Sequence, residues 1–452
     1  MTVVLDRPYE FIPPHEGHRW PDWIQRLRLY DLYLRKSEGV VDFEVEQLEI
    51  FRREVQSGRG IVLAPNHCRY ADPLVMGWPA RLVGTHLYAM ASWHLFNRGQ
   101  FDTFAIRRMG AFSINRESVD RAAIDYAINI LVSATRPLII YPEGATYRTN
   151  DILKPLLAGA FFIARAAARR AAKQDRKVVL LPAAMKYLCV DPVAPWADRQ
   201  LTDFENRFGW RTGRVGGVRD DAVDPTMFGT DDQSLIRRTR RVAAALVGIK
   251  ESQFDVAPPG PGLAQRRDHM IETLLSRCER ELAIVNADAS TDADHTPVEP
   301  VEGATDDPAV TRLAIAGARV RAIRSEIHNR FWSKDDATDP DDLRRLLKQC
   351  ETAMDLSAFH DAYLSDGQVT DTRLVETIQR IQESVLGRAD ASMRLKAVIR
   401  FDDAIEVPPT KAPRGQIDPL STAVRTSLET MLADLQTRTR RLNSSMAAPG
   451  SS

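Results

Sequence analysis

From residue 40 onward, short apolar runs alternate with longer stretches of helical period. Residues 60–65 (GIVLAP), 137–144 (PLIIYPEG) and 177–187 (KVVLLPAAMKY) each hold a brief, nearly unbroken apolar run, and the first two close in a turn. That is the pattern of strands buried on both faces. Between them, residues 120–134 and 156–173 repeat apolar positions every three or four residues, which predicts helices. The alternation predicts an α/β domain over residues 40–215, with a mainly parallel sheet flanked by helices.

The strand signal disappears after about residue 230. QSLIRRTRRVAAALVGIK, RDHMIETLLSRCERELAIV, VTRLAIAGARVRAIRSEIHNRFW and TRLVETIQRIQESVL each carry one apolar stripe, so residues 216–390 read as a large all-α region, inserted or appended. An acidic, small-residue, proline-bearing stretch near 288–308 predicts a disordered linker inside it. Residues 395–409 (LKAVIRFDDAIEVPP) then alternate and are rich in strand-forming residues. A lone strand needs a sheet to join. Residues 391–441 are therefore expected to return to the first domain as a strand and a helix, the latter with Val424, Leu428, Met431, Leu432 and Leu435 on one face. The tail 442–452 reads as disordered. At the other end, residues 1–39 read as an extended arm followed by an amphipathic helix. Trp23, Leu27, Tyr30 and Leu34 fall at helical spacing among Arg26, Arg28, Arg35 and Lys36. That mixture suits a membrane surface as well as it suits packing on the domain itself.

Composition narrows the possible functions. The chain has 452 residues, is 44% hydrophobic and formally neutral, so it exerts no overall pull on nucleic acid. The four cysteines, Cys68, Cys189, Cys278 and Cys350, form no CxxC pair, which argues against a zinc knuckle or disulfide framework and points to a reducing, cytoplasmic setting. The N-terminal residues carry acids and prolines where a secretory signal needs an apolar core. No uninterrupted apolar run is long enough to span a bilayer, so any membrane association would be peripheral. His15 and His18 lie in the arm without a further ligand at metal spacing, and His86 and His94 sit among apolar residues. No metal site is expected from either pair.

The chemistry concentrates in NHCRYAD, residues 66–72. Five positions along a regular helix is a rotation of roughly 500°, so His67 and Asp72 would not share a face if both were helical. They meet if residues 66–71 turn after the strand. Asp72 followed by Pro73 then reads as an N-cap and first-turn pair. An aspartate on one ring nitrogen fixes the imidazole tautomer and leaves the other nitrogen as a base. No G-x-S-x-G is present to supply a serine nucleophile, and Cys68, next to His67, is expected to point away from it. The base is therefore expected to act directly on a substrate hydroxyl.

NHCRYAD resembles the H-x4-D signature of the glycerolipid acyltransferases, the family of lysophosphatidate and glycerol-3-phosphate acyltransferases. GAFSINR (110–116), YPEGATYR (141–148) and the proline of LLPAAMKY, Pro182, follow in the order of that family's further blocks. The resemblance implies that His67 deprotonates an acceptor hydroxyl, which attacks the thioester of an acyl-CoA or acyl carrier protein, with Asp72 orienting the imidazole and no further cofactor. It implies substrate-binding roles for Asn66, Gly110, Arg116, Glu143 and Gly144, with Arg116 on an acceptor phosphate. The expected partners are a lysophospholipid, the acyl donor and a membrane surface, with a possible protein partner through the helical region. The third block departs from the family. Its usual T-R after P-E-G is Ala145-Thr146 here, and the next arginine is Arg148, which joins Arg107 and Arg108 as a candidate cation. That departure leaves open a different acceptor for the same chemistry. A catalytically idle lipid-binding scaffold working through its helices is the remaining alternative.

Overall fold

The computed structural model describes residues 7–442 except 98, 211–213, 216–217, 220–227, 285–306, 334–337, 365–366, 368 and 412–416. Its sheet is built from β1 (Val40–Glu46), β2 (Gly60–Pro65), β3 (Tyr88–Ser92), β4 (Ala111–Ile114), β5 (Leu138–Ile139), β6 (Val178–Cys189), β7 (Leu395–Phe401) and β8 (Ile405–Glu406). The strand order is β1-β7-β6-β2-β5-β3-β4, with β8 also paired to β6. Strands β2 to β6 are mutually parallel along that path. The late strand β7 slots between β6 and β1, antiparallel to the first and parallel to the second.

The central strands are apolar throughout because both faces are covered. Val62, Leu180 and Val398 point into one layer, with the helices Arg121–Ser133, Ala158–Ala172 and Pro419–Gln436. Their neighbours Leu63, Leu181 and Ala397 point the other way, toward the helices Val193–Arg207 and Asp371–Leu386. Neighbouring residues of one strand thus serve opposite layers, as the pleat requires.

The helical region splits its loyalties. Leu263–Glu281, Pro308–Trp332 and Pro340–Ser357 form a bundle with its own core, including Met270, Leu274, Ile323, Leu346 and Cys350. By contrast, the first and last helices of the region, Asp232–Phe254 and Asp371–Leu386, bury residues in the sheet domain's core. Arg238 pins the former through the buried Glu205 at 2.7 Å. The expected disordered linker falls outside the described residues, except that Asp307 caps and Pro308 opens a helix. Of the tail, Leu442 is buried and bonded to Val369, and 443–452 lie outside the described residues.

One expectation for the N-terminus needs correction, that of a single helix after the arm. The arm is fastened along β4: the Ser113 N–H donates to Ile12 and the His15 N–H to Arg107, while the Tyr9 hydroxyl bonds Asp120. The single amphipathic helix is broken, because Arg28 is left-handed at φ 53° between helices Arg19–Arg26 and Leu29–Tyr33. The break sends Tyr30 and Leu34 into the core and leaves Trp23 and Leu27 exposed.

Candidate active site

Strand β2 delivers the H-x4-D segment to the carboxyl end of the sheet, where open α/β folds place their ligands. Asn66 ends the strand by clasping its neighbour: its Oδ1 accepts from the Met185 N–H at 2.6 Å and its Nδ2 donates to the Met185 carbonyl at 3.0 Å. Both ends of that amide are spent on β6. Asn66 thereby holds the turn in place.

His67 and Asp72 do meet. His67 Nδ1 lies 2.8 Å from Asp72 Oδ2, and the imidazole stacks on Tyr141 with centroids 3.9 Å apart. Asp72 is wholly buried. Its Oδ2 also accepts the N–H groups of Cys68 at 2.7 Å and Arg69 at 2.9 Å, and its Oδ1 accepts the Tyr187 hydroxyl. The expected N-cap role is thus corrected. Asp72 is the first residue of the helix Asp72–Val75, whose cap is Ala71. Its carboxylate instead ties the preceding turn, which is what brings it round to His67. Cys68 is buried against the Met185 carbonyl, and burial pushes its thiol well above the usual range, so it is no nucleophile.

The third block closes the site from behind. Glu143 is buried, and its two oxygens accept the main-chain N–H groups of His67 and Lys154. Burial pushes its carboxyl up to about 7, against those two hydrogen bonds. Its observed partners make it a brace between loops, where a hydroxyl ligand for the acceptor was expected. Gly144 is left-handed at φ 70°, and a Cβ there would stand 2.6 Å from Leu157 Cδ1 and 3.7 Å from Arg116 Nη2. Only glycine fits such a place without strain. Gly110, at φ 98°, also has a structural reason: a Cβ would lie 2.3 Å from the Leu87 carbonyl, so it lets β4 enter beside β3.

The arginines divide. Arg116 leaves part of its side chain exposed. The surrounding protein nevertheless desolvates its guanidinium and, with Arg324 and Arg321 of the helix Pro308–Trp332, lowers its pKa. That helix thus brings added positive charge to Arg116. Arg148, offered by the sequence as a substitute cation, is buried and paired with Glu383 at 2.8 Å. Its N–H holds the Cys68 carbonyl at 2.9 Å. Of the other candidates, the Arg107 side chain bonds the Pro13 carbonyl, and Arg108 lies over Trp20 and Phe104.

Sequence reasoning missed several groups. Tyr141, Tyr187 and Lys154 touch or brace the dyad and its supports, and burial lowers the Lys154 ammonium to about 8. Only Tyr141 left a local signal, the aromatic ahead of P-E-G. The helix Asp371–Leu386 was also not foreseen as part of the site. Arg69 is buried with Gln379 at 2.8 Å and faces Glu376 and the Tyr187 ring, while Glu376 accepts the Asn150 N–H and the Tyr363 hydroxyl. The helical region thus forms the wall behind the H-x4-D turn.

With this geometry in view, the comparisons fall into place. The sequence model of the Acyltransferase family matches residues 42–186. Those residues are similar to an acyltransferase domain. Over 107 residues the chain is 36% identical to the 1-acyl-sn-glycerol-3-phosphate acyltransferase of Streptococcus pneumoniae (strain ATCC BAA-255 / R6), which is 24% of this chain and 37% of that relative. The chain thus spans little more than a third of the length of the curated relative it matches. The matched segment includes the whole dyad, Arg116, Glu143 and Tyr141, whereas β7 and the helices that brace Arg69 lie beyond it.

Proposed function

We propose that this protein moves a fatty acyl group from acyl-CoA or acyl carrier protein to the hydroxyl of a lysophospholipid such as 1-acylglycerol-3-phosphate. The observation that carries the reading is the His67–Asp72 pair, with Nδ1 held by a buried carboxylate that three further hydrogen bonds fix in place. Such a carboxylate selects the tautomer whose Nε2 accepts a proton. Nε2 takes the acceptor's hydroxyl proton, the oxygen forms a bond to the thioester carbonyl carbon, and the C–S bond breaks. The proton on the imidazolium then passes to the departing thiolate. Asp72 stabilises the imidazolium throughout. Arg116, with Arg321 and Arg324 nearby, would face the acceptor's phosphate.

A different acceptor for the same chemistry is favoured by one observation. Ala145 and Tyr147 pack on Leu313 and Ala358 of the helical region, so the loop that departs from the family's pattern is occupied in holding that region. Mass spectrometry of the lipids formed from oleoyl-CoA or oleoyl-acyl carrier protein and a panel of lysolipids, beside His67→Ala, separates the readings. One acylated product that vanishes in the variant supports the reaction and names the acceptor. No product with either donor type sinks the transferase reading in favour of a lipid-binding scaffold.

The reading extends to a membrane surface. No helix among the described residues is long and apolar enough to cross a bilayer. Trp20, Trp23, Leu27, Leu29, Leu32 and Phe101 are nonetheless exposed, and Trp20 meets Phe104 with ring centroids 5.3 Å apart. Exposed aromatic and leucine residues beside Arg108 suit the interfacial zone of an anionic bilayer. This surface would set the enzyme on the membrane that holds its acceptor.

A further inference from the structure

A cavity of about 580 Å³ lies between the helical region and the loop behind the H-x4-D turn. The volume falls within the roughly 300–1,000 Å³ of small-molecule sites. One part of its wall is apolar, supplied by Ala243, Ala244, Leu246, Leu263, Leu356 and Phe359. The rest is cationic, from Arg148, Arg240, Arg241, Arg267 and Arg380, with Glu376 as the acid among its described lining residues. His67, Tyr141 and Glu143 are not among those lining residues, so this is a second site and not the reaction centre.

Its charged groups are under-satisfied. Arg148 Nε, Arg241 Nη1 and Arg380 Nε are buried without a hydrogen-bond partner, and an unmet buried donor is unfavourable. Arg148 and Arg380 have other bonds, to Glu383 and to the Tyr147 and Asp355 carbonyls. Arg241 lies over the Trp210 ring at 4.1 Å. A wholly apolar occupant would leave these donors unmet, while a small anion would leave the apolar wall uncovered. We propose that this cavity binds a long-chain fatty acyl ligand with an anionic head, the chain along Ala244 and Leu246 and the head among Arg148, Arg241 and Arg380. The head is the carboxylate of a free fatty acid, because the thioester of an acyl-CoA is neutral and its phosphates lie a whole pantetheine arm away from the chain. A ligand there also touches Arg148, whose N–H holds the Cys68 carbonyl beside His67.

The test is calorimetric titration of the full chain with palmitate, palmitoyl-CoA and hexadecanol, for the native protein, His67→Ala, Ala244→Phe and Arg241→Gln. Ala244→Phe fills the cavity and Arg241→Gln removes one head contact. Binding does not depend on acyl transfer, so His67→Ala is expected to bind as the native protein does even where turnover is lost. The expected result is binding of palmitate that Ala244→Phe weakens at least about tenfold and Arg241→Gln about tenfold, the worth of one charge-assisted hydrogen bond. Palmitate binding supports the carboxylate head, and binding of palmitoyl-CoA without palmitate overturns it. Hexadecanol binding as tightly as palmitate overturns the anionic head. Native affinity in a normally melting Ala244→Phe overturns the site. Should that variant melt early, unchanged affinity in Arg241→Gln overturns it.

Discussion

Replacing Asp72 by asparagine isolates the charge of the dyad from its geometry. The amide oxygen can occupy the position of Oδ2 and keep accepting from His67 Nδ1, Cys68 N–H and Arg69 N–H. The amide NH2 then faces the Tyr187 hydroxyl, which can turn its proton away and accept instead. The fold should survive with a small fall in stability. What disappears is the attraction between a full negative charge and the imidazolium formed as the acceptor loses its proton. With Nδ1 and Oδ2 2.8 Å apart, the charge centres lie about 4 Å from each other, worth about 4 kcal/mol at an effective dielectric of about 20. That corresponds to about a thousandfold in kcat, with KM for the acceptor little changed because no substrate contact is removed. Steady-state kinetics on whichever lysolipid the native protein is found to acylate, beside thermal melting, read both quantities. A well-folded Asp72→Asn enzyme with kcat within tenfold of native would refute the imidazolium argument and leave Asp72 as a mere tie for the turn.

The remaining expectations concern the supports of the dyad. Burial raises Glu143 and Glu376 from the ordinary 4.5 to about 7. The folded state therefore binds more protons than the unfolded one between those values, and stability falls as pH rises through that window. Urea unfolding from pH 4.5 to 8 should show the fall, and Glu376→Gln, whose amide oxygen still accepts from Asn150 and Tyr363, should flatten it; an equal slope refutes the assignment. Gly144→Ala meets both a positive φ and Leu157 Cδ1 at 2.6 Å, so a loss of about 1–2 kcal/mol is expected from denaturant midpoints, with reduced activity. Arg69→Met strands the buried Glu376 and is expected to cost about 3 kcal/mol; an unchanged melting temperature would show that the helical region does not brace the turn. Trp23→Ala combined with Leu27→Ala should lower co-sedimentation with anionic vesicles while leaving turnover of a detergent-dispersed lysolipid intact, and undiminished sedimentation rules out this surface as the membrane contact.

Much of the architecture is local information. The short apolar runs at β2, β5 and β6 and the helical periods between them follow from side-chain spacing, which the chain carries whatever it later packs against. The pairing of His67 with Asp72 was legible too, because a strand end, a proline and an aspartate before Pro73 confine the intervening residues to a turn. Tertiary structure decided what those residues do beyond that. Whether Asp72 caps its own helix or ties the turn depends on where the Cys68 and Arg69 N–H groups point. Whether Asn66, Glu143 and Arg148 meet a substrate or the protein depends on Met185, Lys154 and Glu383, which lie 119, 11 and 235 positions away along the chain. The break at Arg28 was invisible because the apolar spacing runs through it. The place of β7 between β6 and β1 and the cavity behind the third block are likewise products of long-range packing. Periodicity records which face of an element is apolar, and the sequence by itself determined that much; the partner each face meets is a property of the assembled core, and only the tertiary structure decided it.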